Sequence, residues 1–312
     1  MRILQVMAGG KYGGAETAFT DTCIALHEAG CDQHIVTRTN RERVNRLRNA
    51  GLPVTTLRFG GSLDIRTSIA LRQLIRQYQP DIVQSWMSRA AKYVPKAGAK
   101  DNYSHVARLG NYYKLKYFKT ADFFIAITPM IADYLIRNGC APERVRQINN
   151  FAEVADDAAP LKRDNFATPE AVPLLLALGR LHDDKGLDVF LRALADVPKA
   201  YLWIAGEGPK RKQLEALAER LGIKDRVRFL GWRNDRGALL KTADICVFPS
   251  RDEPFGTVFA QAWACGTPVI ASMADGPRQF ITHAKDGLLV PVDDVQALTQ
   301  AIESLISDPD LQ

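Results

Sequence analysis

The chain of 312 residues has no apolar run long enough to cross a bilayer. Its longest runs, such as Leu174 to Leu178, have the length of a strand, whereas a membrane helix needs about 20 apolar residues. The first residues lead directly into a strand-like run and lack the apolar stretch and cleavage site of a signal peptide. We therefore expect a protein without transmembrane helices that stays in the cytoplasm.

Cysteine is scarce, and several well-known motifs are missing. The five cysteines are scattered, with no paired spacing that would indicate disulfides or a zinc site, so we expect reduced thiols in the core. The glycine pairs match neither the dinucleotide-binding fingerprint nor the phosphate loop that ends in Lys and Ser or Thr. No motif of a nucleic-acid-binding protein is present. These absences argue against a nicotinamide oxidoreductase and against a nucleic-acid partner.

The composition is that of a soluble protein with an uneven distribution of charge. Hydrophobic residues make up 46% and charged residues 24% of the chain, and its length suits two domains. Residues 1–150 carry 22 Lys and Arg against 11 Asp and Glu, whereas residues 151–312 carry 19 against 24. The basic first half predicts an anionic partner, either nucleic acid or a phosphate-bearing membrane surface, and the missing nucleic-acid motif favours the membrane.

Strand-like and helical patterns alternate along the chain and predict parallel α/β architecture. The predicted strands of the first half lie at 3–7, 33–37, 54–57, 82–85, 105–108, 123–127 and 145–148. Those of the second half lie at 174–178, 201–205, 227–230, 245–248, 269–271 and 288–290. Residues 152–173 are polar and rich in proline, as in an interdomain linker. We expect two Rossmann-like doubly wound domains, residues 1–151 and 174–312, whose strand ends face each other across a cleft.

The stretch from Glu253 to Ala262 places an acid in a loop and an amide just inside the following helix. Pro254 and Gly256 favour a turn, and the apolar run 257–264 predicts a buried helix. At about 1.5 Å per residue, Glu253 and Gln261 would lie roughly 10 Å apart along a helix start whose free N–H groups attract phosphate. That spacing suits a sugar at one end, a ribose at the other and a diphosphate between them.

This stretch resembles the Glu-x7-Glu signature of the retaining glycosyltransferases of family 4, which have the GT-B fold, although Gln261 stands where the family usually has its second Glu. Three further motifs are similar to the family's and follow in its order, namely Gly9 to Glu16, Gly179-Arg180 with Lys185-Gly186, and Gly206 to Pro209. The resemblance implies a glycosyltransferase of the lipopolysaccharide or glycolipid type. It also implies a nucleotide diphosphate-sugar as donor, with no cofactor and no metal.

The resemblance further assigns roles to individual residues. Negative charge grows on the departing phosphate, so cations and N–H groups aimed at it assist transfer. Arg180 and Lys185 are assigned to that phosphate, and Glu253 is assigned to the hydroxyls of the donor sugar. The alternatives are solvated loop cations and a carboxylate that stabilises a helix end. The predicted donor-binding residues are Gly13, Gly14, Gly206, Gly208, Phe255, Gly256, Thr257 and Gln261.

Three of these assignments carry their own alternatives. The glycines could instead form tight turns that pack a helix on a sheet. An amide at Gln261 both donates and accepts hydrogen bonds, whereas a carboxylate only accepts, so weaker or altered nucleotide binding is predicted. Many relatives have a histidine after the fifth strand, but His105 comes too early in this chain. No general base is assigned, and His105 is expected to pack at the start of a strand.

Lysines alternate with aromatic residues in segment 112–119, and a second basic stretch runs from Arg41 to Arg48. At a membrane, aromatics enter the headgroup layer and each nearby cation contributes about 1 kcal/mol. We therefore assign Lys114, Lys116 and Lys119 to a glycolipid or glycan acceptor and to an anionic membrane surface, the inner face of the plasma membrane. The alternative is a solvated helix with its aromatics in the core.

The leading hypothesis is a metal-independent retaining glycosyltransferase that acts on a lipopolysaccharide-core, glycolipid or related glycan acceptor. A nucleotide-sugar epimerase of related fold is the second. A third is a non-catalytic protein that binds nucleotide sugars or membranes, suggested by Gln261 and the missing histidine. The chain also ends at Gln312, before the helices with which family members usually cross back to their first domain, so either the C-terminal domain is truncated or the protein lacks these helices.

Overall fold

The structure is a computed structural model that describes residues 1–10, 13–61, 64–98, 101–151 and 158–308. It divides into two compact units, Met1–Asn150 and Phe151–Gln312. Each unit contains one parallel β-sheet with helices in the connections between strands. This is the predicted α/β class.

The first unit is built on seven parallel strands. Strands β1–β7 are Arg2–Met7, Asp32–Thr37, Val54–Thr56, Ile82–Trp86, Ser104–Leu109, Phe123–Ala126 and Val145–Gln147. Helices α1–α5 are Gly14–Glu28, Arg41–Asn49, Ile65–Tyr78, Met87–Ala91 and Pro129–Arg137. The sheet has the order β3-β2-β1-β4-β5-β6-β7, and every pairing is parallel. The direction of winding reverses between β1 and β4, as in other doubly wound sheets.

The second unit repeats this plan with six strands. Strands β8–β13 are Leu174–Leu178, Tyr201–Ala205, Val227–Gly231, Ile245–Phe248, Val269–Ser272 and Leu288–Val290. Helices α6–α11 are Leu187–Ala195, Arg211–Arg220, Arg236–Thr242, Thr257–Ala264, Pro277–Phe280 and Val295–Ser307. The order is β10-β9-β8-β11-β12-β13, again parallel throughout, so the winding reverses between β8 and β11.

Burial on both faces explains why the strands are continuous apolar runs. Leu175 and Ala177 of β8 belong to one apolar cluster, while Leu174, Leu176 and Leu178 belong to another on the opposite face. A strand with helices on both sides needs no polar face. All thirteen predicted strands are present, each end within one residue of its predicted position.

Part of the predicted linker is packed into the second unit. The Arg163 side chain is buried and donates hydrogen bonds to the carbonyl oxygens of Val172 and Thr242, at 2.9 and 2.8 Å. It also pairs with Asp244 Oδ1 at 2.8 Å. Residues 152–157 of the predicted linker lie outside the described residues.

Among the described residues, no helix is long and apolar enough to cross a membrane. The five cysteines are free thiols, as predicted. Cys23 and Cys246 are buried in the core, whereas Cys31, Cys140 and Cys265 are partly exposed.

Candidate active site

The predicted catalytic residues lie in two loops that meet where the winding of the second sheet reverses. Strands β8 and β11 are neighbours, and the chain continues from them into loops 179–186 and 249–256. Parallel strands end at the same edge, so both loops emerge there. At Gly186, with φ +59°, a Cβ would overlap the carbonyl oxygen of Pro249. Glycine at 186 therefore permits the close approach of the two loops.

An ion pair joins these loops. Lys185 Nζ contacts Glu253 Oε2, although the two residues are 68 positions apart in sequence. The two side chains are only 21% and 17% exposed, and Lys185 Nζ also lies 5.7 Å from the centre of the Phe248 ring. The cation and the carboxylate are thus held together just before α9, and their roles toward phosphate and sugar stay predictions.

Arg180 lies in the same loop as Lys185 but is much less engaged. Its side chain is 51% exposed, and it pairs with Asp184 Oδ2 at 3.5 Å. That separation is at the limit of a hydrogen bond, and about half of the side chain faces solvent. The group can therefore turn toward an anion with little loss of existing contacts.

Two further glycines shape the start of α9. Gly256 caps the helix with φ +96°, and a Cβ there would lie 2.9 Å from the rings of both Phe248 and Phe259. Gly276 donates its N–H to the Glu253 carbonyl at 2.6 Å, and a Cβ on it would overlap the Phe255 carbonyl. The backbone around Glu253 is therefore fixed by contacts that only glycine allows.

Gln261 lies one turn further along α9 than the helix start and is only 3% exposed. Its side-chain amide makes no hydrogen bond to any residue that the structure describes. The amide is not among the fully buried polar atoms that lack a partner, so solvent and a ligand can reach it. Thr257, the other predicted donor-binding residue of the helix, is its first residue, and Phe255 is buried beneath it.

The predicted donor-binding glycines of the second unit have a packing role. A Cβ on Gly206 would overlap the Gly179 carbonyl, and one on Gly208 would overlap the Leu181 carbonyl. The loop after β9 therefore packs directly against the loop that carries Arg180. This contact supports the tight-turn interpretation and leaves the predicted nucleotide contact as a prediction.

The predicted glycines of the first unit differ from each other. A Cβ on Gly13 would overlap Glu16 Oε2, and Glu16 Oε1 accepts a hydrogen bond from the Gly10 N–H at 2.6 Å. Gly14 begins α1 and has open space around the position of a Cβ. Lys11 and Tyr12 of the same motif lie outside the described residues. The Glu16 carboxylate is the end of a flexible side chain that can move aside, so packing requires glycine at neither position.

His105 is buried at the start of β5, as predicted. Its Nε2 lies 2.8 Å from Ser85 Oγ, and its Nδ1 lies 3.0 Å from Thr120 Oγ1. Burial lowers the pKa of the imidazole to about 4, so the ring is neutral. Both ring nitrogens are engaged by hydroxyl groups, which is a structural arrangement.

The two basic segments of the first unit differ in exposure. Lys114, Lys116 and Lys119 are exposed around a short 3₁₀ turn. The aromatics between them pack inward: Phe118 is buried, and the Tyr117 ring lies 4.0 Å from Lys92 Nζ. Phe118 therefore follows the alternative interpretation, with its ring in the core, whereas Tyr112, Tyr113 and Tyr117 are half-buried.

The stretch from Arg41 to Arg48, predicted to face a membrane, has one buried arginine and three exposed ones. Arg43 is buried and donates to Thr37 Oγ1 and to the Gly10 carbonyl. Arg41, Arg46 and Arg48 are exposed, although Arg46 also pairs with Asp21 at 2.7 Å. The prediction is corrected for Arg43 alone, and for the other three arginines it stays a prediction.

The sequence interpretation missed two buried or bridging arginines. Arg108, at the carboxyl end of β5, is buried against the Trp86 ring and donates to Asn150 Oδ1 at 2.9 Å. Burial lowers the pKa of its guanidinium to about 10. Arg251 bridges the loops of the second unit. A charged residue at the end of an apolar strand could have indicated a special role for Arg108. The sequence around Arg251 gives no such indication.

Two family models match successive parts of this chain. A family model described as "Glycosyltransferase Family 4" matches residues 12–156, and one described as "Glycosyl transferases group 1" matches residues 159–312. The chain is 33% identical over 308 residues to the lipopolysaccharide core biosynthesis glycosyltransferase LpsE of Rhizobium meliloti (strain 1021), covering 97% of this chain and 88% of LpsE. The chain belongs to glycosyltransferase family 4.

Other matches agree with this assignment. The glycosyltransferase is 34% identical to the lipopolysaccharide core biosynthesis glycosyltransferase LpsD of the same organism, covering 100% of this chain and 90% of LpsD. Its fold is similar to that of Anabaena HepE in complex with UDP-glucose, with a TM-score of 0.85 at 23% identity, covering 100% and 91% of the two chains. The two Rossmann-like units are those of the GT-B fold.

Proposed function

We propose that this glycosyltransferase is a retaining enzyme that moves a sugar from a nucleotide diphosphate-sugar to a lipopolysaccharide-core, glycolipid or related glycan acceptor. The observation that carries the proposal is the Lys185–Glu253 pair at the mouth of α9, with the exposed Arg180 beside it. The names of LpsE and LpsD support the acceptor class, and the UDP-glucose complex of HepE supports the donor class.

Each charged group has a task in this reaction. The bond between the anomeric carbon and the phosphate oxygen breaks, and negative charge grows on the diphosphate. Lys185 and Arg180 stabilise that charge, the lysine as a point charge and the arginine through two N–H groups. Glu253 accepts hydrogen bonds from sugar hydroxyls and orients the sugar.

The configuration is retained when the acceptor oxygen bonds to the same face of the sugar from which the phosphate departs. The acceptor's proton then passes to the departing phosphate oxygen, so that no protein base is needed. The structural arrangement of His105 agrees with this route. Lys185 and Arg180 supply positive charge at the phosphates. Divalent metals neutralise phosphate charge in other enzymes, and we propose that transfer by this one needs no metal.

Variants of the ion pair test the proposal. Lys185→Ala should lower donor turnover about 100-fold or more, as removal of a single transition-state donor does in other enzymes. Lys224→Ala is the matched control, because Lys224 pairs with Glu219 at 3.2 Å on the exposed surface of the same unit. The measurement is sugar transfer from UDP-, GDP- and ADP-sugars, with and without EDTA, and NMR of the product anomer.

The outcomes separate the hypotheses. Loss in Lys185→Ala alone, insensitivity to EDTA and a product with the donor's anomeric configuration support the proposal. Inverted configuration or dependence on a metal contradicts the corresponding part of it. Conversion of the donor sugar without an acceptor would indicate an epimerase, and donor binding without turnover would indicate a non-catalytic protein.

We also propose that the enzyme docks on an anionic membrane surface through its first unit, at the cytoplasmic face. Helix α3 contains Arg66, Arg72 and Arg76 but no acidic residue, and it exposes Ile65 by 68% and Ile69 by 52%. Isoleucines one turn apart beside exposed arginines favour an interface that is both apolar and anionic.

This face of α3 connects to the predicted lysine segment. Tyr93 accepts a hydrogen bond from the Gly61 N–H at 2.9 Å, just before α3. The neighbouring Lys92 covers Tyr117, which lies between Lys116 and Phe118. These contacts link the loop before α3 to the lysine segment, and we propose that the lysines and the α3 arginines share one docking surface to which the isoleucines add the apolar contact.

Vesicle binding tests the docking surface independently of catalysis. Co-sedimentation with vesicles of phosphatidylglycerol and phosphatidylcholine should exceed that with phosphatidylcholine alone and should weaken at high salt. The double variant Ile65→Ser with Ile69→Ser should lose most binding, while Ile136→Ser, which removes a 39% exposed isoleucine from α5, should not. Equal binding to both vesicle types, or equal loss in both variants, would contradict the docking proposal and leave the transferase proposal intact.

A further inference from the structure

Arg251 uses nearly all of its guanidinium to hold other segments of the second unit. Its Nη1 and Nη2 donate to the two carboxylate oxygens of Asp188, each at 2.8 Å. Nη1 also donates to the Asp183 carbonyl at 2.8 Å, and Nε donates to Asp293 Oδ1 at 2.6 Å. The arginine holds the pKa of the Asp188 carboxyl below its usual range.

These bonds connect Arg251 to two segments that lie far from it in sequence, residues 183–188 and the turn at Asp293. Asp183 belongs to the loop that carries Lys185, Asp188 lies in the first turn of α6, and Asp293 lies in the turn between β13 and α11. The backbone adds a further bond, from the Arg251 N–H to the Asp184 carbonyl at 2.7 Å. Several hydrogen bonds therefore connect the loop before α6 to the loop after β11.

The two hydrogen-bonded loops, 179–186 and 249–256, also carry the Lys185–Glu253 ion pair. Lys185 follows the bonded Asp183 and Asp184, and Glu253 lies two residues after Arg251. The distance between the cation and the carboxylate therefore depends on the bonds of Arg251. Asp293 is held in the left-handed region, with φ +63°, which is unfavourable for a residue other than glycine and shows that its surroundings constrain it.

Building on the proposed function, we infer that Arg251 is a positioning residue for sugar transfer. It holds Lys185 in the position in which the lysine contacts the departing phosphate. Arg251 contacts neither the donor nor the acceptor in this role. Misplacement of a catalytic group by about 1 Å can cost roughly 100-fold in rate, so the positioning should be visible in kcat.

The test uses Arg251→Lys, which keeps the charge but cannot make the four side-chain bonds together. The expected result is a 10- to 100-fold loss of kcat with less than about a threefold change in the KM of the donor, because Lys185 acts mainly on charge that develops in the transition state. Arg226→Lys is the matched control. Arg226 donates to the carbonyls of Leu194, Val197 and Ala200 in the same unit, away from the ion pair.

A double-mutant cycle separates positioning from general loss of structure. In the Lys185→Ala background, Arg251→Lys should lower kcat by less than about threefold, because the group it positions is already absent. A merely structural role predicts the same loss in both backgrounds, and that result would overturn the inference. Melting temperatures of all variants check that each is folded at the assay temperature.

The remaining outcomes are also decisive. If Arg251→Lys does not fold, Asp293→Ala removes one of the bonds and should give a smaller loss of kcat that likewise disappears in the Lys185→Ala background. If Lys185→Ala retains normal turnover, the proposed function itself fails. If Lys185→Ala is inactive but Arg251→Lys has normal kcat, only the positioning inference fails.

Discussion

Gln261 is the position at which this chain departs from its family's signature, and its replacement by Glu gives opposite effects on nucleotide binding and on folding. The side chain is 3% exposed on α9, with no hydrogen bond to the described residues. A hydrogen bond between neutral groups contributes about 1 kcal/mol, whereas one to a charged group contributes about 1.5–3 kcal/mol. If Gln261 binds ribose hydroxyls, Gln261→Glu should strengthen UDP binding by about 1–2 kcal/mol, or roughly 5- to 30-fold.

Without nucleotide, Gln261→Glu should instead lower the free energy of unfolding. A carboxylate buried without a partner costs about 1–3 kcal/mol of the free energy of unfolding. Burial raises the pKa of such a carboxyl above its value in the unfolded chain, so the cost is present at neutral pH and disappears as the pH falls below about 4. Thermal melting without nucleotide at pH 7 and pH 4 measures this effect.

Gln213→Glu is the control, because it makes the same change of charge at an exposed position of α7. Isothermal titration with UDP measures affinity in both variants. Unchanged or weaker UDP binding in Gln261→Glu, together with the expected loss of unliganded stability, would refute the assignment of this residue to the ribose. Equal gains in both variants would mean that the effect is not local.

Three further predictions concern stability. Gly256→Ala should lower the free energy of unfolding by about 2 kcal/mol more than Gly266→Ala, because both have positive φ but only Gly256 faces aromatic rings; urea denaturation measures the difference, and equal losses would contradict the packing argument. His105 is neutral in the fold, with a pKa of about 4 against 6.5 unfolded, so protons bind the unfolded chain first and stability should fall by up to about 3 kcal/mol as the pH drops from 6.5 to 4. His105→Gln should remove that part of the pH dependence, and an unchanged slope would assign it to other groups. Arg163→Ala should cost about 2–3 kcal/mol, because it removes the buried donor of the Glu170, Val172 and Thr242 carbonyls and the partner of the partly exposed Asp244; a loss below 1 kcal/mol in denaturant titration would show that water replaces the side chain.

Much of the fold follows from local sequence. Because each sheet is covered on both faces, its strands are unbroken apolar runs such as Leu174–Leu178, and such runs can be recognised without tertiary information. The helix Thr257–Ala264 was predictable for a similar reason, since Gly256 precedes an apolar run of helical length. The family motifs added the assignment of Glu253, Lys185 and Arg180 to a donor site.

Exposure and partnership were less predictable. Arg43 has the same local sequence character as the exposed lysines 114, 116 and 119, yet it is buried and donates to partners inside the first unit. Conversely, Ile65 and Ile69 resemble core residues but protrude from α3. Which face of a helix meets the sheet is settled by packing over the whole unit, and short stretches do not contain that information.

The sequence by itself determined the class of fold, the strands and the residue types available for phosphate and sugar binding, because these depend on apolar periodicity and on motifs within a few residues. Only the tertiary structure decided that Lys185 meets Glu253, since this contact requires β8 and β11 to be neighbours although β9 and β10 lie between them in the chain. The same strand order brings Arg251 to Asp183 and Asp188. Contacts between the ends of neighbouring strands depend on the winding of the sheet, and that winding is a property of the whole unit.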